Sequence, residues 1–564
     1  MSAETVIPRR FGMPAWAPWT AAIVAAFLVG AHVSQFEGGP LDILFTLAAP
    51  ATLGAVILVL SRRPLFSLVA TTLGVALIFI VSKAKQEAMN MVLHAYDLIF
   101  YFSSWSTLTF LANSYRSHVV AFAISLLVVF GVATLAWHLD QRRVKRASGV
   151  VLAVILAATT LTAATLRTPL HEATFFTDDR YVSQFFGSLS ETVAVLWRGT
   201  LVEAAPQGPG APFNAATTCT PTKKPPNIIL IHQESTVPPS HFPGLGYDHS
   251  IDPFFRSFDG ALRKLRVETY AGASWLSEFS ILTGMSSYAF GSMRPYVQSI
   301  MAGKLRDSMP QFLERCGYRN VLVYPMLRNF VANARFYDKI GLHKVVDAKD
   351  QKATRPNERD HFYYNTALNE IEQHRQSDAA APLFLYIQTQ ASHAEYTFTY
   401  EPNEIVAGGA PGTDPEVHEY LRRLGMAAKD YRYLKQELAN RFPTEQFLIV
   451  NYGDHHPDVT RRLMGLAAFR GTLTMERHPQ AFETYYSLDG VGYTPTVPPA
   501  VEVMDVPYLS VTVMEAAGLP MPDSYLERRR LMMLCKGRYY GCVQRGEILA
   551  FHRRLLNSNR IDRF

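Results

Sequence analysis

Carboxylate and imidazole side chains collect at the ends of three apolar segments in the second half of the sequence. Glu234 directly follows NIILIHQ, His393 lies three residues after LFLYIQTQ, and Asp454, His455 and His456 directly follow FLIVNYG. If these segments are parallel strands, their carboxyl ends meet at one edge of the sheet. Carboxylates and imidazoles without cysteine suit a divalent cation such as Mn²⁺, Zn²⁺ or Mg²⁺. Each residue alone is also an ordinary turn residue, but three strand ends together favour a site.

The apolar segments themselves predict the fold around this site. Short apolar runs alternate with amphipathic stretches such as PQFLERCGY and EYLRRLGMAAKDYRYLKQEL; the runs are NIILIHQ, KLRVETY, NVLVYPM, LFLYIQTQ and FLIVNYG. This rhythm predicts an α/β domain with a largely parallel central sheet and helices on both faces. The domain is expected to start near Pro226, because the preceding EAAPQGPGAPFNAATT is typical of a linker.

The first half of the chain predicts five transmembrane helices. Apolar runs near the ~20 residues that a spanning helix needs lie at about 15–33, 41–61, 65–82, 119–139 and 147–167. Their interiors lack Lys, Arg, Asp and Glu, which disfavours buried helices of a soluble core. A cleaved signal peptide is also disfavoured, because four more runs follow the first.

Basic residues in the short loops predict the orientation of these helices. Arg9 and Arg10 precede the first run, Arg62 and Arg63 follow the second, and a basic group at 142–146 follows the fourth. All three groups fall on one side, which the positive-inside rule makes the cytoplasm. Everything after about residue 167 is then extracytoplasmic, as in a multi-pass protein of a bacterial inner membrane with a periplasmic domain.

Composition and cysteine usage restrict which classes of partner and which cellular compartment fit the sequence. The 564 residues carry a formal net charge of only +6, which gives no sign of a nucleic-acid partner. The four cysteines lack CxxC spacing. Cys535 and Cys542 flank a short loop, which predicts one disulfide and leaves Cys219 and Cys316 for a second in an oxidising compartment. Four buried free thiols are the alternative.

The sequence is therefore expected to divide into four parts. These are a transmembrane domain of five helices at 1–167, a periplasmic linker at 168–225, a catalytic domain at 226–525 and a basic C-terminal tail at 526–564. The tail is rich in Lys and Arg, which suits contact with anionic headgroups or an ordinary solvated face.

The order of five motifs resembles a known family. NIILIHQES, YAGASWLSEFSILTG, NARFYDKIGL, QASHAEY and NYGDHHP occur in the order and spacing of the lipoteichoic-acid-synthase-like group. Its members are membrane-bound phosphoglycerol and phosphoethanolamine transferases of the alkaline phosphatase and sulfatase superfamily. The likeness covers about residues 225–520 and implies an alkaline-phosphatase-like catalytic domain.

The resemblance implies which residues hold the metal and which one attacks. Glu234, Ser274, Asp454 and His455 correspond to the ligands of one divalent ion, and Ser274 to the nucleophile. A coordinated hydroxyl loses its proton more easily, and the same ion neutralises phosphoryl oxygens. The family's usual nucleophile is threonine, so serine is a departure, and Ser277 is a competing candidate. The residues after Ser274 lack the Pro and Arg of the sulfatase formylglycine motif, which disfavours a true sulfatase.

Four further residues are expected to contact the substrate. His393 is the candidate to bind the phosphate or to protonate the leaving oxygen, because imidazole titrates near neutral pH. Arg335 is the candidate phosphate clamp, since its planar fork can hold two oxygens. Ungapped matching through FYDKIGL instead puts Asn333 where the family's arginine sits. His456 is expected to bind substrate, to support a metal ligand or to bind a second metal.

Together these features predict a metal-dependent transferase. A phosphoglycerol or phosphoethanolamine group would pass from a membrane phospholipid to a glycan or lipid acceptor through a covalent phospho-Ser intermediate. An extracytoplasmic phosphodiester hydrolase would use the same metal and nucleophile and is one alternative. An inactive lipid-binding or sensing protein is another, and the retention of all four candidate ligands argues against it.

Overall fold

The structure is a computed structural model that separates into two compact units, Met1–Ala194 and Val195–Phe564. It describes residues 14, 16–89, 91–102, 108–109, 112, 115–166, 180–206, 211–214, 219–221, 223–328, 333–406, 414–469 and 473–563. The boundary between the units falls inside helix Ser183–Arg198.

The first unit is helical. Its helices are α1 Ala17–Ser34, α2 Pro40–Ser61, α3 Pro64–Met89, α4 Ala95–Phe102, α5 Arg116–Leu139 and α6 Arg146–Leu166, followed by α7 Ser183–Arg198. Five of them, α1, α2, α3, α5 and α6, are long and apolar enough to cross a membrane. The predicted multi-pass architecture is confirmed at the positions that the apolar runs indicated.

Two threonine hydroxyls inside these helices are hydrogen-bonded within the protein. Thr52 Oγ1 donates to the carbonyl of Ala48 at 2.8 Å and lies 3.0 Å from Thr160 Oγ1, which joins α2 to α6. Thr160 Oγ1 in turn donates to the carbonyl of Leu156 at 2.8 Å. Such internal pairing is what a hydrocarbon environment requires of polar groups.

The second unit is built on one eight-stranded mixed sheet. Its strands are β1 Asn227–Gln233, β2 Arg263–Arg266, β3 Arg319–Val323, β4 Lys344–Val346, β5 Leu383–Gln388, β6 Phe447–Gly453, β7 Glu483–Val491 and β8 Val503–Asp505. They are ordered β4-β3-β5-β1-β6-β7-β2-β8. Only the pairings of β7, with β6 and with β2, are antiparallel. The predicted α/β fold with a largely parallel sheet is confirmed.

Helices surround this sheet. They are α8 Ser274–Thr283, α9 Val297–Met301, α10 Met309–Arg315, α11 Asn333–Lys339, α12 Asp360–Asp378, α13 Pro415–Arg441, α14 Thr460–Leu463, α15 Leu509–Ala516, α16 Asp523–Leu534 and α17 Arg545–Asn557. One large core joins the apolar faces of α12 and α13 to β1, β3, β5 and β6. Fully buried strands explain the continuous apolar runs of the sequence.

The central strand β1 and its two neighbours bring the candidate site residues to one edge of the sheet. β1 pairs in parallel with β5 on one side and β6 on the other, with His232 level with Gln388 and Tyr452. The three strands therefore end together, and the segments that follow them converge. This is the arrangement that the strand-end residues predicted.

Both predicted disulfides are present. Cys219 is bonded to Cys316, and Cys535 to Cys542. The structure thus excludes the alternative of four free thiols. The first bond closes a 97-residue separation and fixes the segment before β1 to the end of α10.

The segment expected as a basic tail is folded into the second unit. Residues 526–564 contain most of α16 and all of α17, and the side chains of Leu531, Phe551 and Leu555 are buried. Arg528 is also buried and lies 3.2 Å from the carboxylate of Asp307. The number of Lys and Arg residues suggested an exposed tail. In the structure, the apolar faces of two short helices alternate with arginines, some of which pair with acids inside the domain.

The described residues of the predicted linker at 168–225 that follow Ala194 belong to the second unit. The backbone N–H of Glu203 donates to the carbonyl of Ala289 at 2.8 Å, and that of Ala205 to Leu549 at 2.9 Å. Phe213 is buried against Phe551 with ring centroids 5.9 Å apart. These stretches are therefore part of the folded unit and differ from the free spacer that Pro and Gly indicated.

The orientation of the helices gives a test in cells. We expect a phosphatase reporter fused after residue 167 to be active and a cytoplasmic fluorescent reporter at the same position to be dark, because the basic loops place that residue outside. A fusion after residue 63, between α2 and α3, should give the opposite pair of signals. A fluorescent, phosphatase-inactive fusion after residue 167, together with the opposite signals after residue 63, would reverse the predicted topology.

Candidate active site

The strand-end carboxylates, one histidine and one serine meet at the edge of the sheet. Glu234 follows β1, Asp454 and His455 follow β6, and Ser274 is the first residue of α8. Ser274 Oγ donates to Glu234 Oε2 at 3.1 Å and lies 3.3 Å from His455 Nε2. His455 Nε2 lies 3.5 Å from Glu234 Oε1 and 3.3 Å from Asp454 Oδ2. The structure brings together the four residues predicted as metal ligands.

Backbone donors fix the Asp454 carboxylate. The N–H groups of Ser235 and His455 donate to Asp454 Oδ1 at 2.7 and 2.8 Å. Gly453 permits this approach of the two chain segments, because a Cβ there would lie 2.0 Å from the carbonyl oxygen of Thr236. Oδ2 is left facing the centre of the cluster, buried and without a regular hydrogen bond among the described residues.

A strained turn presents Ser274. Ala271, Gly272 and Ala273 have φ angles of 56°, 139° and 61°. Residues other than glycine rarely adopt such positive φ angles. Thr269 Oγ1 closes the turn by donating to the carbonyl of Gly272. The turn leaves Ser274 half-buried at the N-terminus of α8, where the positive end of the helix dipole favours an anionic group such as a phosphate.

His232 joins the cluster, although the sequence did not single it out. Its Nε2 lies 3.0 Å from Asp454 Oδ2, and its Nδ1 lies 2.8 Å from the hydroxyl of Tyr452 and 3.1 Å from that of Tyr386. Burial lowers the pKa of His232, but the carboxylates of Asp454, Glu278 and Glu234 together raise it more, so the net shift is upward. The missed signal was spacing, because residues two apart near the end of a strand share a face.

These groups fit a divalent cation. His232, Glu234 and Asp454 offer ligand atoms within 4.8 Å of one another, and all three are buried. Burial would raise the pKa of Asp454, but the imidazoles of His455 and His232 hold it well below its usual range, so the carboxylate is charged. Asp454 Oδ2 is a buried, charged oxygen that lies 3.0 and 3.3 Å from two imidazole nitrogens, which makes it a ready ligand for a cation.

Residues 226–486 match the family model described as Sulfatase. This segment is similar to the sulfatase family. The sequence-based identification of the superfamily is confirmed, and the match spans β1 to the start of β7 with all four predicted ligands. A protein of Haemophilus influenzae described as uncharacterized is 22% identical over 332 residues, which are 55% of this chain. The chain spans 56% of the length of that relative.

Several solved structures are similar to the chain. A Streptococcus pyogenes phosphoglycerol transferase, GacH, in complex with sn-glycerol-1-phosphate, is 18% identical with a TM-score of 0.47, and the match covers 60% of this chain and 85% of that one. The Neisseria meningitidis integral membrane lipooligosaccharide phosphoethanolamine transferase A is 12% identical with a TM-score of 0.42 and covers 90% and 97%. The Listeria monocytogenes lipoteichoic acid synthase LtaP is 17% identical with a TM-score of 0.40 and covers 58% and 75%.

Ser277 of the sulfatase-like domain is turned away from the cluster. Its side chain is fully buried, and its Oγ donates to the backbone carbonyl of Asp454 at 2.7 Å. This bond ties α8 to the end of β6. The geometry therefore favours Ser274 over Ser277 as the attacking hydroxyl.

His456 lies behind the cluster. Its Nε2 lies 2.8 Å from the carbonyl of Glu483 and its Nδ1 3.2 Å from Thr460 Oγ1, and burial lowers its pKa to about 3. Its own carbonyl oxygen lies 3.0 Å from His455 Nδ1. These contacts support the orientation of His455 and leave neither ring nitrogen of His456 open for substrate.

The other predicted substrate residues stand apart from the central cluster. His393 and Arg335 are exposed, and within the described residues neither makes a hydrogen bond or ion pair with Glu234, Ser274 or Asp454. The side chain of Asn333 lies outside the described part of the chain. The roles of these three residues in binding phosphate stay predictions.

Proposed function

We propose that the chain is a phosphotransferase that moves a phosphoglycerol or phosphoethanolamine group from a membrane phospholipid to a glycan or lipid acceptor. The observation that carries this proposal is Ser274, a hydroxyl presented at a helix N-terminus within 3.3 Å of both a carboxylate and an imidazole of a cation-type cluster. A hydroxyl so placed is suited to in-line attack on a phosphorus atom.

Glu234, Ser274, Asp454 and His455 would hold one divalent ion, Mn²⁺, Zn²⁺ or Mg²⁺, with His232 supporting Asp454. When bound, the ion supplies positive charge that acidifies the Ser274 hydroxyl and neutralises phosphoryl oxygens. The N–H groups at the start of α8 face the same region and add to that stabilisation.

The first half-reaction forms a phospho-Ser274 intermediate. The Ser274 hydroxyl proton is lost to solvent, Ser274 Oγ bonds to phosphorus, and the bond from phosphorus to the diacylglycerol oxygen breaks. His393 gives a proton to that oxygen, so that neutral diacylglycerol leaves. In the second half-reaction the acceptor hydroxyl bonds to phosphorus, its proton passes back to His393, and Ser274 is released.

The membrane half supports a lipid as the donor. Five spanning helices on the same chain keep the sulfatase-like domain beside a bilayer, which raises the effective concentration of any phospholipid substrate. The two disulfides and the basic loops support an extracytoplasmic, periplasmic domain on a bacterial inner membrane.

Mass spectrometry of the Ser274 peptide tests the proposal and names the group. The full chain, loaded with Mn²⁺, is incubated with phosphatidylglycerol or with phosphatidylethanolamine and then digested. We expect one of the two lipids to add its phosphoryl headgroup to Ser274, located by fragmentation. Absence of both an adduct and released headgroup with either lipid, in a protein that binds Mn²⁺, would contradict these two donors.

The same incubation separates transfer from hydrolysis. A transferase without its acceptor should accumulate the adduct and release little free headgroup. Continuous release of glycerol phosphate or phosphoethanolamine into water, with no adduct building up, would instead identify a hydrolase. A chain that neither binds Mn²⁺ nor consumes lipid would be the inactive lipid-binding protein.

A further inference from the structure

One fully buried arginine holds the loop that carries His393. Arg423 lies on α13 with none of its surface exposed. Its Nη1 donates to the carbonyl of His393 at 2.6 Å, and its Nη2 donates to the carbonyl of Glu395 at 2.7 Å. Because both carbonyls bind one planar guanidinium, the position of residues 393–395 relative to α13 is set by a rigid fork.

The buried charge of Arg423 is itself compensated. Its Nε donates to Glu419 Oε1 at 2.9 Å, one turn earlier on α13, and the same oxygen accepts the backbone N–H of Tyr400 at 2.8 Å. The rings of Tyr396 and Tyr400 lie 4.9 and 5.2 Å from the guanidinium carbon. The guanidinium therefore has one orientation, fixed by a carboxylate and by aromatic rings.

The base of the loop is also anchored. Asp360 Oδ1 accepts the N–H of Ala391 at 3.2 Å, and the Tyr396 hydroxyl donates to the carbonyl of Ser392 at 2.6 Å. These bonds fix the chain on both sides of His393. Arg423 is the side chain that binds the carbonyl of His393 itself.

The His393 ring projects from this held backbone. Its Nδ1 lies 2.7 Å from the carbonyl of Ala394, which can only accept, so Nδ1 carries the proton of the neutral ring. Nε2 is then the nitrogen available to a substrate, and it makes no hydrogen bond within the described residues. The direction of Nε2 is set by the backbone of 393–394, and that backbone is set by Arg423.

We propose that Arg423 is a positioning residue that aims His393 at the phosphoryl group, with Glu419 orienting Arg423. This inference rests on the proposed function, in which His393 protonates the leaving oxygen. Arg423 is shut off from solvent and does not touch substrate. Its effect on the reaction passes through His393.

The neighbouring Arg422 provides a matched control. It lies on the same helix and also binds Glu419, its Nε donating to Oε2 at 3.1 Å. Its guanidinium holds the carbonyls of Tyr400 and Glu404 at 2.7 and 3.1 Å and has no bond to residues 393–395. Loss of Arg422 therefore removes a similar charge and similar hydrogen bonds without releasing His393.

The test compares Arg423→Lys with Arg422→Lys in the full chain, using release of fluorescent diacylglycerol from whichever of the two phospholipids loads Ser274. A lysine ammonium keeps the charge but cannot hold both carbonyls in the geometry of the fork. We expect Arg423→Lys to lower kcat on the order of 100-fold, the cost of a misplaced catalytic group. Mn²⁺ affinity should be unchanged, and Arg422→Lys should turn over at nearly the wild-type rate.

A double-mutant cycle with His393→Ala distinguishes a positioning role of Arg423 from a general loss of structure. If Arg423 acts through His393, the Arg423→Lys/His393→Ala protein should be no slower than His393→Ala alone. Losses that multiply would overturn the inference and leave the proposed function standing. If His393→Ala alone turns over like the wild type, the role of His393 in the proposed function fails and this inference with it.

Glu419→Gln keeps the inference testable if Arg423→Lys does not fold. The amide preserves the size of the side chain and an acceptor oxygen but removes the charge that orients the guanidinium. We expect a smaller loss of kcat that again disappears in the His393→Ala background. A loss of the same size in both backgrounds would contradict the positioning role.

Discussion

Replacing Ser274 by alanine is expected to abolish the phosphorylated protein and to lower headgroup release by roughly a thousand-fold or more, as when the nucleophile of a covalent enzyme is removed. The reason is chemical, because the Ser274 hydroxyl is the group presented to the substrate at the start of α8. Much of the metal should remain bound, because Glu234, Asp454 and His455 still supply three ligands. Phosphoprotein analysis and Mn²⁺ titration on the same preparation measure the two effects.

Ser277→Ala is the matched control for this experiment. It removes an equivalent hydroxyl from the same helix, one whose bond to the carbonyl of Asp454 is structural. We expect a loss of stability of about 1 kcal/mol and retention of the phospho-Ser274 intermediate. If phosphoprotein instead survives in Ser274→Ala and disappears in Ser277→Ala, then Ser277 is the nucleophile and Ser274 is structural. The motif alignment would then be wrong.

Much of this fold follows from simple patterns in the sequence. The strands β1, β5 and β6 are buried on both faces, so each appears as an unbroken apolar run, and the spanning helices appear as longer ones. The strands that the sequence did not indicate do not appear as long apolar runs. β7 has the mixed sequence ETYYSLDGV and pairs antiparallel, while β4 and β8 have three residues each.

The candidate site likewise contains residues that a local sequence pattern predicts and residues that depend on contacts distant in the sequence. Glu234, Asp454 and His455 were predictable because strand ends converge at one edge of a parallel sheet, and Ser274 because it lies within a motif that resembles the family's. His232 and Arg423 act through partners far away in the chain. His232 faces Asp454 across 222 residues, and Arg423 binds the carbonyl of a residue 30 positions earlier. Such pairs depend on packing that no local pattern contains.

Asp454→Ala is expected to show the opposite phenotype to Ser274→Ala, with loss of the metal itself. Asp454 is fully buried, carries a negative charge and lies between His232 and His455, so its removal takes a charged ligand out of the cluster and leaves His232 without its carboxylate partner. We expect metal affinity to fall by on the order of 100-fold or more, since even the loss of groups outside the ligand set costs 10- to 100-fold. Activity should fall with metal occupancy.

Asp454→Asn separates loss of charge from loss of structure. The amide oxygen can still accept the N–H groups of Ser235 and His455 that now bind Oδ1, so the end of β6 keeps its shape. We expect a folded protein with weak Mn²⁺ binding, whose turnover rises as Mn²⁺ is added, whereas Ser274→Ala should not respond to added metal. Asp458→Asn, whose side chain is 71% exposed, is the control and should bind Mn²⁺ normally. Full metal binding and full turnover in Asp454→Asn and Asp454→Ala would show that this cluster is not the active site.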